Sequence, residues 1–393
     1  MVDFCPDDTP ELKAWRSEVR TFLQEALPNG MRFDYDYDED EARWEEYLAF
    51  WRKVGQKGWV ALTWSKDYYG LGRPAIEKWI LQEEFTAYDV PMYPAIGLQV
   101  SAGLLRHGTH EQRLKHLKGI AEVTTLWGEG YTEPSAGSDL ASLTTRAHRD
   151  GDDWVLNGQK TLGTAAHRCQ WMYALARSDP NSKRHAGISC FMIPLDAPGV
   201  SMTALHNMGG GQQNHTFFDN VRVPDDCRVG DVDQAWAQIW FGQGGERMDN
   251  ALPGPEPFTF RVQALMDDLF DYCRTTKRGG VALSQDPLIR LQLAELMSGV
   301  EVLKLQAFET YSGVATRNRS FDISQLYLKE FWPRMAQITM EIVGPMAQIA
   351  GGRWAQLEGR FQHFFLASFG NHAGGTSQLK RMAFATRGLG LPR

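Results

Sequence analysis

The residues best suited to chemistry lie in one stretch, Trp127–Trp171. Its loop, Tyr131-Thr132-Glu133-Pro134-Ser135-Ala136-Gly137-Ser138, crowds backbone N–H groups and small hydroxyls together, a surface that suits a polar ring or a phosphate. Beyond it, Ser142, Thr144, Arg146 and His148 alternate with Leu143, Thr145 and Ala147 in the period of a strand. Asp150-Gly151-Asp152 then turns the chain; Trp154-Val155-Leu156 reads as a second strand and Asn157-Gly158 as another turn. Taken alone, the stretch fits an ordinary β-meander edge equally well.

Other chemistries find less support. His107 and His110 form the one pair spaced for a metal, and no fuller ligand set is read around them. Gly209-Gly210-Gly211 is a loop outside any βα unit, and the chain has neither G-x-G-x-x-G nor a Walker A lysine, which disfavours a Rossmann or P-loop nucleotide site. A net charge of −7 argues against wholesale nucleic-acid binding. The five cysteines are scattered and odd in number, as expected of free thiols in a reducing compartment. The acidic start MVDFCPDDTPE lacks an apolar core and no 18-residue apolar run exists; a cytoplasmic protein without a membrane span is the expectation.

The elements that must position this stretch follow from pattern. In residues 1–122, Thr9 and Pro10 form a helix start, and Leu12, Trp15, Val19, Phe22 and Leu23 recur at helical spacing until Pro28-Asn29-Gly30. Helices also fit Trp44–Val54 and Ile76–Phe85, and Thr109-His110-Glu111-Gln112 reads as a capping box. Residues 123–234 hold the β patterns, with further strands at Trp171–Arg177, Ile188–Ile193 and Phe217–Val223. Residues 235–393 return to helix: Phe258–Lys277, Leu288–Thr316, Ile323–Ile349 with a kink expected at Pro333 and a stop at Gly351-Gly352, and a last helix over Thr376–Arg387. The fold class is α+β.

YTEPSAGSDLASL (131–143), NGQK (157–160), the run ending at Trp171, FMIPLDAPGVS (191–201) and FFDNVRVP (217–224) together resemble the middle domain of the acyl-CoA dehydrogenase family, and the flanking regions match too. The resemblance implies an N-terminal helical domain (1–122), a middle β-barrel-like domain (123–234) and a C-terminal four-helix bundle (235–393). It also implies FAD, and oxidation of an acyl-CoA to its trans-2-enoyl form. A carboxylate takes the α-proton, the flavin takes the β-hydrogen as hydride, and electron-transfer flavoprotein receives the electrons.

Many relatives carry the base just before the Gly-Thr of Ala373-Gly374-Gly375-Thr376-Ser377-Gln378, where this chain has Gly374. A second subgroup carries it on the first C-terminal-domain helix. Gly244-Gly245-Glu246-Arg247 occupies that place, so the resemblance assigns the base to Glu246 and a donor N–H to Gly374. It assigns flavin contacts to Tyr131, Thr132, Ser138 and Thr164, and, with half of them crossing a subunit interface, to Gln348, Gly351, Gly352, Thr376 and Gln378. The chain departs from the family at Leu162, where a tryptophan is usual, and at Arg274-Thr275-Thr276-Lys277-Arg278-Gly279-Gly280, which replaces an Arg…Phe-Gly motif and leaves Arg274 or Arg278 to meet the pyrophosphate. The overall pattern looks like bacterial acyl-CoA dehydrogenases of steroid degradation, some of them heterotetramers. The expected substrate is a bulky or branched acyl-CoA such as a steroid side chain, and the expected assembly a homo- or heterotetramer. The alternative is a flavin-poor partner chain of a heteromeric enzyme; a third reading is an oxygen-using acyl-CoA oxidase.

Overall fold

The structure is a computed structural model and describes residues 8–28, 31, 40–182, 184–236, 258–312, 319–370 and 374–392. In chain order it is helical, then β, then helical. It packs as two compact units, one of Met1–Leu27, Ala75–Val90 and Gly254–Arg393, the other of Pro28–Pro74 and Pro91–Pro253.

In the first unit, α1 (Pro10–Ala26) starts as its sequence requires: the Thr9 hydroxyl accepts from Leu12 N–H, and Pro10 occupies the first turn. Trp15, Val19, Phe22 and Leu23 are buried, and α1 packs on α3 (Ala75–Ala87). Glu84 of α3, 2% exposed, accepts ion pairs from Arg16 and Arg20, both at 2.7 Å. The C-terminal helices of this unit are α6 (Phe258–Thr275), α7 (Pro287–Ser312), α8 (Arg319–Val343), α9 (Arg360–Ser368) and α10 (Ser377–Ala383). The α7–α8 crossing is close: a Cβ at Gly299 would lie 2.1 Å from the Phe331 ring.

Two expectations change here. The helix through Pro333 ends at Val343, not near Gly351: Gly344 takes φ +76°, and Pro345 cannot donate to continue the ladder. Helix α9 adds an element beyond those read from pattern.

The second unit contains α2 (Glu41–Gln56), α4 (Gly97–His107), α5 (His110–Ala121) and an eight-stranded sheet. Asp40 caps α2, and the capping box of α5 is formed by Thr109 and Gln112. The strands are β1 (Trp127–Gly130), β2 (Arg146–Asp150), β3 (Asp153–Thr164), β4 (Trp171–Arg177), β5 (Ile188–Pro194), β6 (Val200–His206), β7 (Gln212–Pro224) and β8 (Arg228–Val229). Their order is β6-β7-β3-β2-β4-β5-β8, with β1 pairing parallel to β4. The register Trp127↔Trp171 stacks the two indoles at 5.5 Å, and His116 of α5 meets both edge-on.

Asn157-Gly158 is not a turn. Both residues lie within β3, where the backbone of Thr145 comes so near that a Cβ at Gly158 (φ +150°) would sit 2.7 Å from the Thr145 Cα. The four described cysteines are free and buried. No described helix is long and apolar enough to cross a membrane, and the described residues hold no cluster of three or more potential metal ligands.

Candidate functional site

The loop after β1 is held from beneath by one buried ion pair. Lys160 of β3 points into the sheet domain with its side chain 1% exposed. Its ammonium lies 2.8 Å from Glu133 Oε1 and 3.3 Å from the carbonyl oxygen of Tyr131. The remaining capacity of Glu133 is also filled. Thr144 donates its N–H (2.6 Å) and hydroxyl (2.8 Å), and Thr145 its N–H (2.9 Å). Burial works against the Glu133 carboxylate, but Lys160 and these donors outweigh it and hold its pKa at about 2. Burial draws Lys160 down to about 8, against the pull of Glu133, so both groups are charged at neutral pH.

A second tie fixes the next residue: Thr161 N–H donates to the Thr132 carbonyl at 2.9 Å. Here β3 slips register against β7 between Lys160 and Gly163. Leu162, inside this bulge, takes the left-handed φ of +62°, and Ala165, just past the end of β3, takes φ +49°. Such residues are costly and persist only where their surroundings fix them. Thr161 Oγ1 meets His215 Nδ1 at 2.8 Å, and Ala165 N–H donates to Gln212. Between the two strained residues stands Thr164, exposed.

The hydroxyls of this region fall into two sets. Those of Ser142, Thr144, Thr145 and Thr161 are engaged with protein groups. Those of Thr132, Ser138 and Thr164 make no hydrogen bond to another described residue. Glu129 on β1, two residues before Tyr131, is a carboxylate that sequence reasoning missed. Desolvation raises its pKa to about 7, and no described group pairs with it. Lys160 and Glu133 were missed too, since a lysine closing NGQK carries no local sign that it is buried.

In the other unit the expected residues form two separate sets. Gly374 takes φ +69°, and a Cβ built on it would meet no atom within 4 Å. Thr376 and Gln378 line a groove of about 550 Å³ with Lys329, Pro333, Gln337 and Phe369. The Thr376 hydroxyl caps α10 by accepting from Leu379 N–H at 3.3 Å. Gln348, Gly351 and Gly352 are exposed and lie beyond the end of α8; Gln348 follows Gln337 by roughly three helical turns of chain. Arg278 donates to the Ile342 carbonyl at 3.0 Å, beside that second set. Arg274 is exposed and paired with Asp271 at 2.6 Å. Glu246 lies outside the described residues.

Three family models match in succession: acyl-CoA dehydrogenase N-terminal domain over residues 9–124, middle domain over 128–221 and C-terminal domain over 259–389. The chain belongs to the acyl-CoA dehydrogenase family. It is 30% identical to the acyl-CoA dehydrogenase FadE26 of Mycobacterium tuberculosis over 98% of both chains. The ChsE4–ChsE5 complex of the same organism superposes with a TM-score of 0.87 at 28% identity, covering 99% of this chain and 100% of that one. The Tcur3481–Tcur3483 steroid ACAD gives 0.84 at 28%, covering 98% and 99%. The chain is thus a FAD-dependent acyl-CoA dehydrogenase in type, with the three-part architecture its pattern implied. Each unit by itself offers groups that suit that cofactor. In one, the hydroxyls of Thr132, Ser138 and Thr164 on the loop and the end of β3 make no hydrogen bond to another described residue; in the other, open glycine backbone lies at Gly351, Gly352 and Gly374.

Proposed function

We propose that this dehydrogenase acts on a bulky or branched acyl-CoA, such as one bearing a steroid side chain, and forms the trans-2-enoyl-CoA. The reading is carried by the uncommitted hydroxyls of Thr132, Ser138 and Thr164 on a rigid β edge. The full-length likeness to a steroid ACAD supports the substrate class. In this reading Tyr131, Thr132, Ser138 and Thr164 touch the flavin, with Gln348, Gly351, Gly352, Thr376, Gln378 and Arg274 or Arg278 serving the rest of the cofactor. The domain boundaries stay at 122/123 and 234/235.

FAD, when bound, supplies the hydride acceptor for the β-hydrogen. Glu246 removes the α-proton, which is weakly acidic until charge moves onto the thioester oxygen. The N–H of Gly374 donates to that oxygen, and one such donor is worth about 2.7–4 kcal/mol where a comparable oxyanion is stabilised. Electron-transfer flavoprotein then reoxidises the enzyme, a cytoplasmic tetramer of one or two kinds of chain.

Glu246→Gln is expected to keep bound FAD and to slow flavin reduction by roughly 10²–10⁴-fold, the contribution of a general base. Full reduction rates in an anaerobic acyl-CoA mixing experiment would remove Glu246 from that role. A rate survey in which short straight-chain acyl-CoAs outrun branched and steroid ones would reject the substrate class.

A second reading rests on Leu162, a 41% exposed side chain where a flat ring is usual. It makes this chain a partner subunit, flavin-poor alone; the names of solved relatives that pair two chains support a heteromer. Flavin absorbance per polypeptide after expression alone separates the two. About one FAD per chain supports a self-sufficient homo-oligomer, and half or less supports a missing partner.

A further inference from the structure

We propose that the buried Lys160–Glu133 pair is a positioning device for the flavin, setting the carbonyl edge of Tyr131-Thr132 against the Thr161–Thr164 bulge while keeping the ground beneath it neutral. The proposal rests on the reading of Tyr131, Thr132 and Thr164 as flavin contacts.

The geometry is specific. Lys160 holds both the side chain of Glu133 and the backbone carbonyl of Tyr131, so one ammonium ties strand β3 to two residues of the loop. The neighbouring residue of β3, Thr161, ties one more loop residue, Thr132, by donating its N–H to the Thr132 carbonyl. Beyond it, the same strand carries Leu162 and Thr164 and leads into Ala165; the left-handed conformations of Leu162 and Ala165 need firm support. Loop and bulge are therefore one rigid piece, and the three free hydroxyls stand at its surface.

The surroundings of the pair make its charge balance matter. Tyr131, Tyr173 and Cys190 lie about it and burial keeps all three protonated. Glu129 is the carboxylate of β1, and burial keeps it too protonated below about pH 7. Below that pH, Lys160⁺ and Glu133⁻ are the charges that meet here among the described residues, and they cancel. A buried partner left alone keeps its field, because little solvent is present to screen it. Adding electrons to a flavin builds negative charge, so an orphaned carboxylate opposes reduction and an orphaned ammonium favours it.

That sign difference separates positioning with charge balance from simple loosening. The midpoint potential of bound flavin and the FAD dissociation constant are measured at pH 6 on the purified holoprotein and on Lys160→Met, Glu133→Gln and the double variant. The potential is expected to fall in Lys160→Met, not to fall in Glu133→Gln, and to return toward wild type in the double variant. FAD binding is expected to weaken by about tenfold or more in all three, the scale of losing a supporting shell. A parallel drop of potential in both single variants, or an unchanged potential in Lys160→Met, would overturn the proposal. If Lys160→Met does not fold, the neutral double variant decides: FAD bound as tightly as in wild type overturns the proposal, and weaker binding at a wild-type potential sustains it. Wild-type protein that takes up no FAD would instead fell the flavin reading itself, and this proposal with it.

Discussion

The two regions that carry the expected cofactor residues are built on opposite plans. On the β edge, the groups that tie the loop to β3 are bonded to protein: Glu133 takes four donors, Thr161 two partners, and the bulge is strained but braced. In the C-terminal segments, Gly351, Gly352 and Gly374 would each accept a Cβ without touching anything, and Gln348 and Gln378 are exposed. The first region is braced by its own bonds, whereas the second presents backbone with open space above it among the described residues. A rigid ring is best read by a preformed edge, while a long flexible cofactor tail tolerates contacts assembled later.

The sharpest test of this contrast compares one ion pair from each region. Lys160→Met strands Glu133 in the interior, and breaking a buried pair in this way is expected to cost about 3–5 kcal/mol of stability. Arg274→Ala removes an exposed partner of Asp271, where the loss should be at most about 1 kcal/mol. Urea midpoints of the two variants measure both. Similar shifts would mean that the β edge is no better braced than the surface helix.

Acid should strike the β region first. His116 lies edge-on to Trp127 and Trp171, and burial, with Lys115 adding to it, lowers its pKa to about 4. The unfolded chain binds that proton near pH 6.5, so the native state is favoured above this pH and loses ground as pH falls toward 4, by roughly 3 kcal/mol at most. Glu133 adds a lower step. Its folded value near 2 gives stability that is present above the ordinary glutamate range and is lost as pH drops through that range toward 2. Between pH 7 and 4 the thermal midpoint of wild type should fall more steeply than that of His116→Phe, which lacks this proton linkage. Parallel curves would show that His116 contributes nothing to the slope.

Much of the frame was legible because its causes are local. Thr9-Pro10 and the Thr109–Gln112 box start helices through bonds spanning three residues, and Trp171–Arg177 is a strand from end to end as its apolar run implied. What escaped had distant causes. Gly158 looked like a turn glycine, yet it is there because Thr145 crosses it. Gly351-Gly352 outweighed Gly344-Pro345 as a stop signal, although the helix ends at the latter. The site divides in the same way. Thr132, Ser138 and Thr164 were assigned because the order of motifs marks them, whereas the Lys160–Glu133 clamp spans 27 residues and no spacing rule shows that both ends are buried.

The smallest predicted effect tests whether glycine serves the same purpose in both regions. At Gly158 an added methyl meets fixed backbone, and φ +150° is itself unfavourable for alanine, so Gly158→Ala should cost about 3 kcal/mol. At Gly352, φ is +83° and the space is open, so Gly352→Ala should lose only about 1 kcal/mol, from conformational preference alone. If Gly352 exists to let FAD approach the backbone, its alanine variant should nonetheless bind FAD more weakly than its stability loss accounts for. Thermal melts with and without added FAD resolve the two quantities. A Gly352→Ala protein whose FAD-induced stabilisation equals that of wild type would leave Gly352 as a turn residue, and would make the C-terminal segment a less open surface than its geometry implies.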